Sequence, residues 1–199
     1  MKPALRFVGR FGIALAAAVT VGMLAGCSPE YNWRQMSGPD QDYLIMLPAK
    51  PATMTRKIRL EEMEVSMAMQ GAKVNEATFT AAVATLADAS QETRNKAVQA
   101  MQRGMLTNIA AQSHRAESVS VPIVDSMGAR RGSLPATRLL AEGSVKGQPV
   151  RMSAGFTAFG ARAYQWVLIE PVPKNPQKAD EQVKTFIESF RLVHTGASQ

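Results

Sequence analysis

Few side chains in this chain carry chemistry, and their spacing excludes more than it admits. Cys27 is the single cysteine among 199 residues, so no disulfide can form within the chain. Its thiol is a nucleophile or a point of modification. His114 and His194 are the only histidines. Neither has a sequence neighbour at a metal-pair spacing, so neither is expected to ligate or catalyse. There is no G-x-S-x-G elbow, S-x-x-K pair, H-E-x-x-H, phosphate loop or dinucleotide glycine fingerprint, so no catalytic residue is assigned. Glu61, Glu62 and Glu64 bring three carboxylates together, most simply as the solvated edge of a strand. Met46, Met54, Met63, Met67 and Met69 crowd one stretch of chain. Thioethers are soft donors that suit Cu(I), yet methionine is also a flexible core filler. With no histidine close by, core filling is expected for Met63, Met67 and Met69, and a thioether metal site is the alternative. Gly128-Ala129-Arg130-Arg131-Gly132 is a basic, glycine-bracketed turn. Arg130 and Arg131 can meet an anion or an acidic partner there, or simply be solvated.

The surroundings of Cys27 decide its chemistry. Lys2, Arg6 and Arg10 make a basic start, with no acidic residue before Glu30. Phe11 to Leu24 is an apolar run of about 14 residues, right for a signal core and short for a bilayer span. Leu24-Ala25-Gly26-Cys27 closes it and resembles the lipobox of bacterial lipoproteins. The resemblance implies cleavage between Gly26 and Cys27, a lipid (palmitate-type) attached to Cys27, and an anchored mature chain. An uncleaved anchor is disfavoured, because Gly26, Cys27, Ser28 and Pro29 follow with no basic stop-transfer cluster. Ser28 stands where enteric-type lipoproteins held at the inner membrane carry aspartate, so the resemblance implies the outer membrane, facing the periplasm.

Removal of Lys2, Arg6 and Arg10 takes three from the formal charge of +7 and leaves +4. That excess does not demand nucleic acid, and export makes such a partner implausible. The boundaries expected are a signal peptide over 1–26, a lipidated cysteine and flexible tether over 27–41, one globular domain over 42–195, and a disordered tail over 196–199. Tyr43 to Leu47 reads as a strand stopped by Pro48, and Met54 to Leu60 as a second, basic one with Arg56, Lys57 and Arg59. Over Glu62 to Gln70, Met63, Val65, Met67 and Met69 alternate with polar residues, which means a strand with one buried face. Gly71 to Asn75 is a turn candidate, and Ala77 to Val83 alternates again. Asp88 or Ser90 caps a helix from about Glu92 to Gln112, striped by Val98, Met101, Met105 and Ile109. Gly104 weakens it, as a close backbone approach would require.

Strands are further expected over Val119–Ile123, Leu134–Ala141, Val150–Phe159 and Arg162–Glu170. The last is apolar on both faces and so central in a sheet covered on both sides. Asn175 and Pro176 start a helix to about Leu192. The sum is an α/β (α+β) fold, a mostly antiparallel sheet flanked by helices as an α/β/α sandwich.

The mature domain also resembles the PsbP-like fold. The carriers are Tyr43-Leu44-Ile45-Met46-Leu47-Pro48, the strand Phe79 to Leu86 leading into a helix, and Phe186-Ile187-Glu188-Ser189-Phe190-Arg191-Leu192, similar to the family's Phe-x-x-Ser-Phe-x-apolar ending. The hairpin around Glu62 to Gln70 departs from the simplest pattern. The resemblance implies a fold and transfers no functional residue. The expectation is a lipid-anchored, non-catalytic accessory or protein-binding module, with an envelope protein as partner and no cofactor. A periplasmic small-ligand or copper carrier is the alternative, and a hydrolytic enzyme without a recognisable motif comes third.

Overall fold

The computed structural model describes residues 30–194. Cys27, the expected cleavage point before it, and the segments 1–29 and 195–199 lie outside them. The strands are β1 (Arg34–Ser37), β2 (Tyr43–Leu47), β3 (Ala52–Leu60), β4 (Met63–Val74), β5 (Ala77–Thr85), β6 (Ser113–Val124), β7 (Arg130–Val145), β8 (Gln148–Phe159), β9 (Arg162–Pro171) and β10 (Arg191–Val193). The helices are α1 (Gln91–Asn108), after β5, and α2 (Pro176–Ile187), after β9. All ten strands join one sheet in the order β1-β2-β10-β6-β7-β8-β9-β5-β4-β3. Neighbours run antiparallel except β10 beside β6.

Alternation sorts the core into two halves. From β9, Tyr164, Trp166 and Leu168 join Phe79 of β5 with Phe186 and Ile187 of α2. From the same strand Ala163 and Val167 join Met67 of β4 with Ala97, Ala100 and Met101 of α1. One helix therefore lies on each face. At about 4.8 Å between strands, ten strands span roughly 40 Å, while a helix is about 10 Å across. Each helix leaves most of its face uncovered. Among the described residues the architecture is a curled, mostly antiparallel mixed sheet with two helices, and the expected clear sandwich is corrected to that.

The curl brings the β1–β2 end over the α2 side. Gln70 Nε2 of β4 donates to Ser37 O at 3.1 Å and to Tyr43 Oη at 2.9 Å. Tyr31 and Trp33 set their rings edge-on to Phe79, with centroids 6.3 and 5.7 Å away. Arg162 at the start of β9 reaches Asp42 and Asp40, each at 2.7 Å. Beneath this seam Trp166 stacks on Phe190 at 4.0 Å between centroids, and its Nε1 donates to Ile187 O at 3.0 Å. Gly155 on β8 makes room for the indole, since a Cβ there would lie 2.0 Å from Trp166 Cζ2.

Several boundaries move for local reasons. The segment expected as a tether is ordered from Tyr31, and its residues 34–37 are β1. β4 runs through Gly71 to Val74, and the turn falls at Asn75, whose φ of 52° suits asparagine. α1 stops at Asn108, not Gln112. Ala110 takes a left-handed φ of 44°, and the amides of Ala110 and Ala111 close on Thr107 O and Leu106 O. No backbone packs against Gly104, where a Cβ would meet nothing within 4 Å. α2 ends at Ile187 because Ser189 Oγ donates to Phe186 O and accepts from Met46 N, releasing Arg191–Val193 to become β10.

Burial pushes the Tyr43 hydroxyl up to about 12, with the Gln70 hydrogen bond opposing and the Asp42 charge adding. Tyr164 is raised further by burial and by Asp42. A tyrosine that keeps its proton in the folded chain but loses it near 10 when unfolded stabilises the fold fully below pH ~10. That contribution disappears as pH rises through about 12. Denaturant stability measured across this window should fall with rising pH, and Tyr43→Phe should flatten the fall relative to wild type. Gly155→Ala should lower stability by about 1–3 kcal/mol or more in the same assay, because a packed indole cannot retreat.

Candidate partner-binding surface

The β6–β7 hairpin ends in a short loop built around one carboxylate. Asp125 Oδ1 accepts from the amides of Met127 (3.0 Å) and Ala129 (2.9 Å). Its Oδ2 accepts from Arg131 Nε at 2.8 Å. The main chain closes the turn through Asp125 N to Ala129 O at 2.9 Å and Gly128 N to Asp125 O at 3.0 Å. Gly128 supplies the left-handed φ of 82°. The Ala129 amide first, and then Arg131, hold the Asp125 carboxyl below its ordinary range. The loop is thus pinned, and it presents Met127 with 86% of its surface exposed.

The two arginines singled out in the sequence part company here. Arg131 is engaged by Asp125, whereas Arg130 bonds only the nearby Gly132 O, at 3.5 Å, and has no carboxylate partner among the described residues. Arg130 and Met127 form an exposed basic and apolar tip. Sequence reasoning missed Met127 and Asp125. The available signal was an apolar residue inside a turn whose first residue is aspartate, which is the residue that bonds amides two and four positions on.

The other candidates do not converge. His114 pairs with Ala141 near the start of β6, and His194 N bonds Val124 O at its far end. At about 3.3 Å per residue, roughly 30 Å of strand separates them. Glu61 pairs with Arg103 at 2.6 Å and Glu64 with Lys57 at 3.6 Å, so these carboxylates are dispersed on the surface. Among the described residues no group of three His, Cys, Asp or Glu side chains could hold a metal. Arg56, Lys57 and Arg59 lie on β3, at an open edge of the sheet, where cations discourage pairing with another strand. A groove of about 670 Å³ between α2 and β6–β8 holds Arg138 and Arg151. Arg151 meets Glu170 (2.7 Å) and Asp180 (3.0 Å), and Arg138 lies 4.0 Å from Glu188. No described helix is long and apolar enough to cross a membrane.

Met63, Met67 and Met69 share one face of β4 and pack in the α1-side core, with Met67 buried and the other two half-buried. Cys27, the expected point of lipid attachment, lies outside the described residues.

No family model matches the chain, and no curated protein matches it. Among solved structures, it is similar to the solution structure of cyanobacterial PsbP (CyanoP) from Synechocystis sp. PCC 6803. Identity is 10% over 87% of this chain and 99% of that one, with a TM-score of 0.46. It is similar also to the apo structure of TplEi, an immunity protein of the T6SS from Pseudomonas aeruginosa, at 14% identity over 89% and 83% of the two chains and a TM-score of 0.37. The same immunity protein complexed with the "L" peptide matches at 20% identity over 65% and 48%, again with a TM-score of 0.37. Scores this low carry no argument about family or activity.

The methionine row yields a direct test. Met67→Leu nearly conserves volume and should cost less than about 1.5 kcal/mol, whereas Met67→Ala leaves a cavity and should cost roughly 2–5 kcal/mol. Thermal melts with and without Cu(I) should show no metal-dependent rise for wild type. A rise that Met67→Leu abolishes would establish a thioether metal site instead.

Proposed function

We propose that this is a lipid-anchored envelope protein whose PsbP-like domain binds another protein and catalyses nothing. The anchoring rests on Leu24-Ala25-Gly26-Cys27 after a basic and then apolar start, and the outer-membrane destination on Ser28. The binding role rests on one observation, the exposed Met127 on a loop that Asp125 holds rigid. A large apolar side chain held in water by an ordered loop gains nothing for the fold. Methionine and arginine are both enriched in the contact residues of protein interfaces. A pinned loop also loses little conformational entropy on association. Arg130 and the charge of the mature chain favour an acidic partner.

Two measurements test the two halves separately. Cys27→Ala should abolish incorporation of a labelled fatty acid and leave unprocessed precursor, and label retained on that variant would refute the anchor. A photo-crosslinking residue at position 127, in intact cells, should give a discrete adduct with one envelope protein. The same residue at the exposed Glu76 turn should give none. Arg130→Glu should reduce the adduct at position 127 severalfold with the melting temperature unchanged. Equal labelling from both positions would overturn the tip as the contact.

A further inference from the structure

On the α1 side, away from the pinned tip, a cleft of about 370 Å³ opens between α1 and the strands β3, β4, β5 and β9. Its walls include four thioethers, Met67 and Met69 from β4 with Met101 and Met105 from α1. Two further features are not accounted for by packing. Gln165 borders the cleft and is only 9% exposed, yet its carboxamide makes no side-chain hydrogen bond within the described residues. Its polar atoms are not among the buried unpartnered ones, so water reaches them and they are free to bond a guest. Gly104, in the interior of α1, also borders the cleft, and nothing lies within 4 Å of where its Cβ would be. Glycine is a poor helix residue, and here no contact requires it; what it does is leave the wall open.

The rim carries charge. Arg56 stands opposite Met67 in the β3–β4 register, shares its face, and borders the cleft. Arg56 has no carboxylate partner among the described residues, whereas Arg59 stands opposite Glu64 on the other face of the sheet. We infer that this cleft is a binding site for a small amphipathic anion. Its apolar body lies along the methionines beneath Gly104, its anionic head meets Arg56, and a hydrogen-bonding atom at the far end meets Gln165. A volume of about 370 Å³ lies at the small end of ligand pockets and suits a chain of medium length. Methionine suits such a guest, since a flexible, polarisable side chain adapts to a chain's contour. This inference stands independently of the partner-binding reading, because it uses none of the tip residues.

The test uses the full-length protein in phosphatidylcholine nanodiscs and a diazirine analogue of 12-hydroxydodecanoate, with labelled residues mapped by mass spectrometry. Saturable labelling is expected on the peptides carrying Met69 and Met101, competed by 12-hydroxydodecanoate more strongly than by dodecanoate. A site built to bond a hydroxyl discriminates against the analogue lacking it, so Gln165→Leu should reverse that order. Arg56→Gln should weaken labelling about tenfold, as expected for loss of a charge-assisted hydrogen bond. Gly104→Leu should close the cleft and reduce labelling at least about tenfold. Gly104→Ala should keep labelling and raise the melting temperature, which separates closure from damage to α1. Labelling that does not saturate, or that survives Gly104→Leu in a folded protein, would overturn the site.

Discussion

The fold depends on holding Trp166 in place. This one side chain lies flat on Phe190, donates its indole proton to the last carbonyl of α2, and fills the space that Gly155 leaves on the neighbouring strand. It ties the central strand to the C-terminal helix, and through Phe190 and Tyr43 to the far end of the sheet. A large aromatic buries about 150–250 Å² and gains further from stacking, so this anchor outweighs any surface ion pair in the molecule. The curl follows from it. With α2 fixed over β9, the chain after Phe190 enters the sheet as β10 between β2 and β6, and carries the β1–β2 edge round to Gln70 and Phe79.

The two sides of the sheet are made of different materials. Among the described residues, every aromatic contact lies on the α2 side, where flat rings fix one another's positions. The α1 side is filled by aliphatic side chains, alanine, leucine, valine and isoleucine among methionines, with Phe156 as its one buried ring. Aromatic packing specifies one arrangement, whereas thioether packing tolerates several. The rigid half therefore positions the chain, and the adaptable half is where a cavity can remain without collapse of the sheet.

What was legible in the sequence follows the same division. Strict alternation exposed β4 and β5, and the double-faced apolar run of residues 163–169 placed β9 at the centre, because period two survives wherever one or both faces are dry. The strand β1 escaped notice because three of its four residues are exposed at a sheet edge. The strand β10 was absorbed into the preceding helix because three residues hold no period, and the break depends on the Ser189 hydroxyl bonding a strand distant in sequence. At the candidate sites the arginine pair was visible but its division of labour was not. Which guanidinium Asp125 captures depends on a turn geometry that spacing alone leaves open.

The methionine row shows why core and cavity are not opposed readings of one set of residues. Met67 is buried against the α1 core and also forms a wall of the cleft. A row chosen only to fill space would be matched by side chains on the facing helix, and α1 offers Met101 and Met105 with Gly104 between them on the cleft wall. Leucine or alanine at Gly104 would strengthen the helix without a clash, since the space beyond its Cα is empty. Glycine there costs helix stability with no compensating contact in the empty protein. A guest in the cleft would supply that compensation, and the carboxamide of Gln165, open to water, borders the same volume.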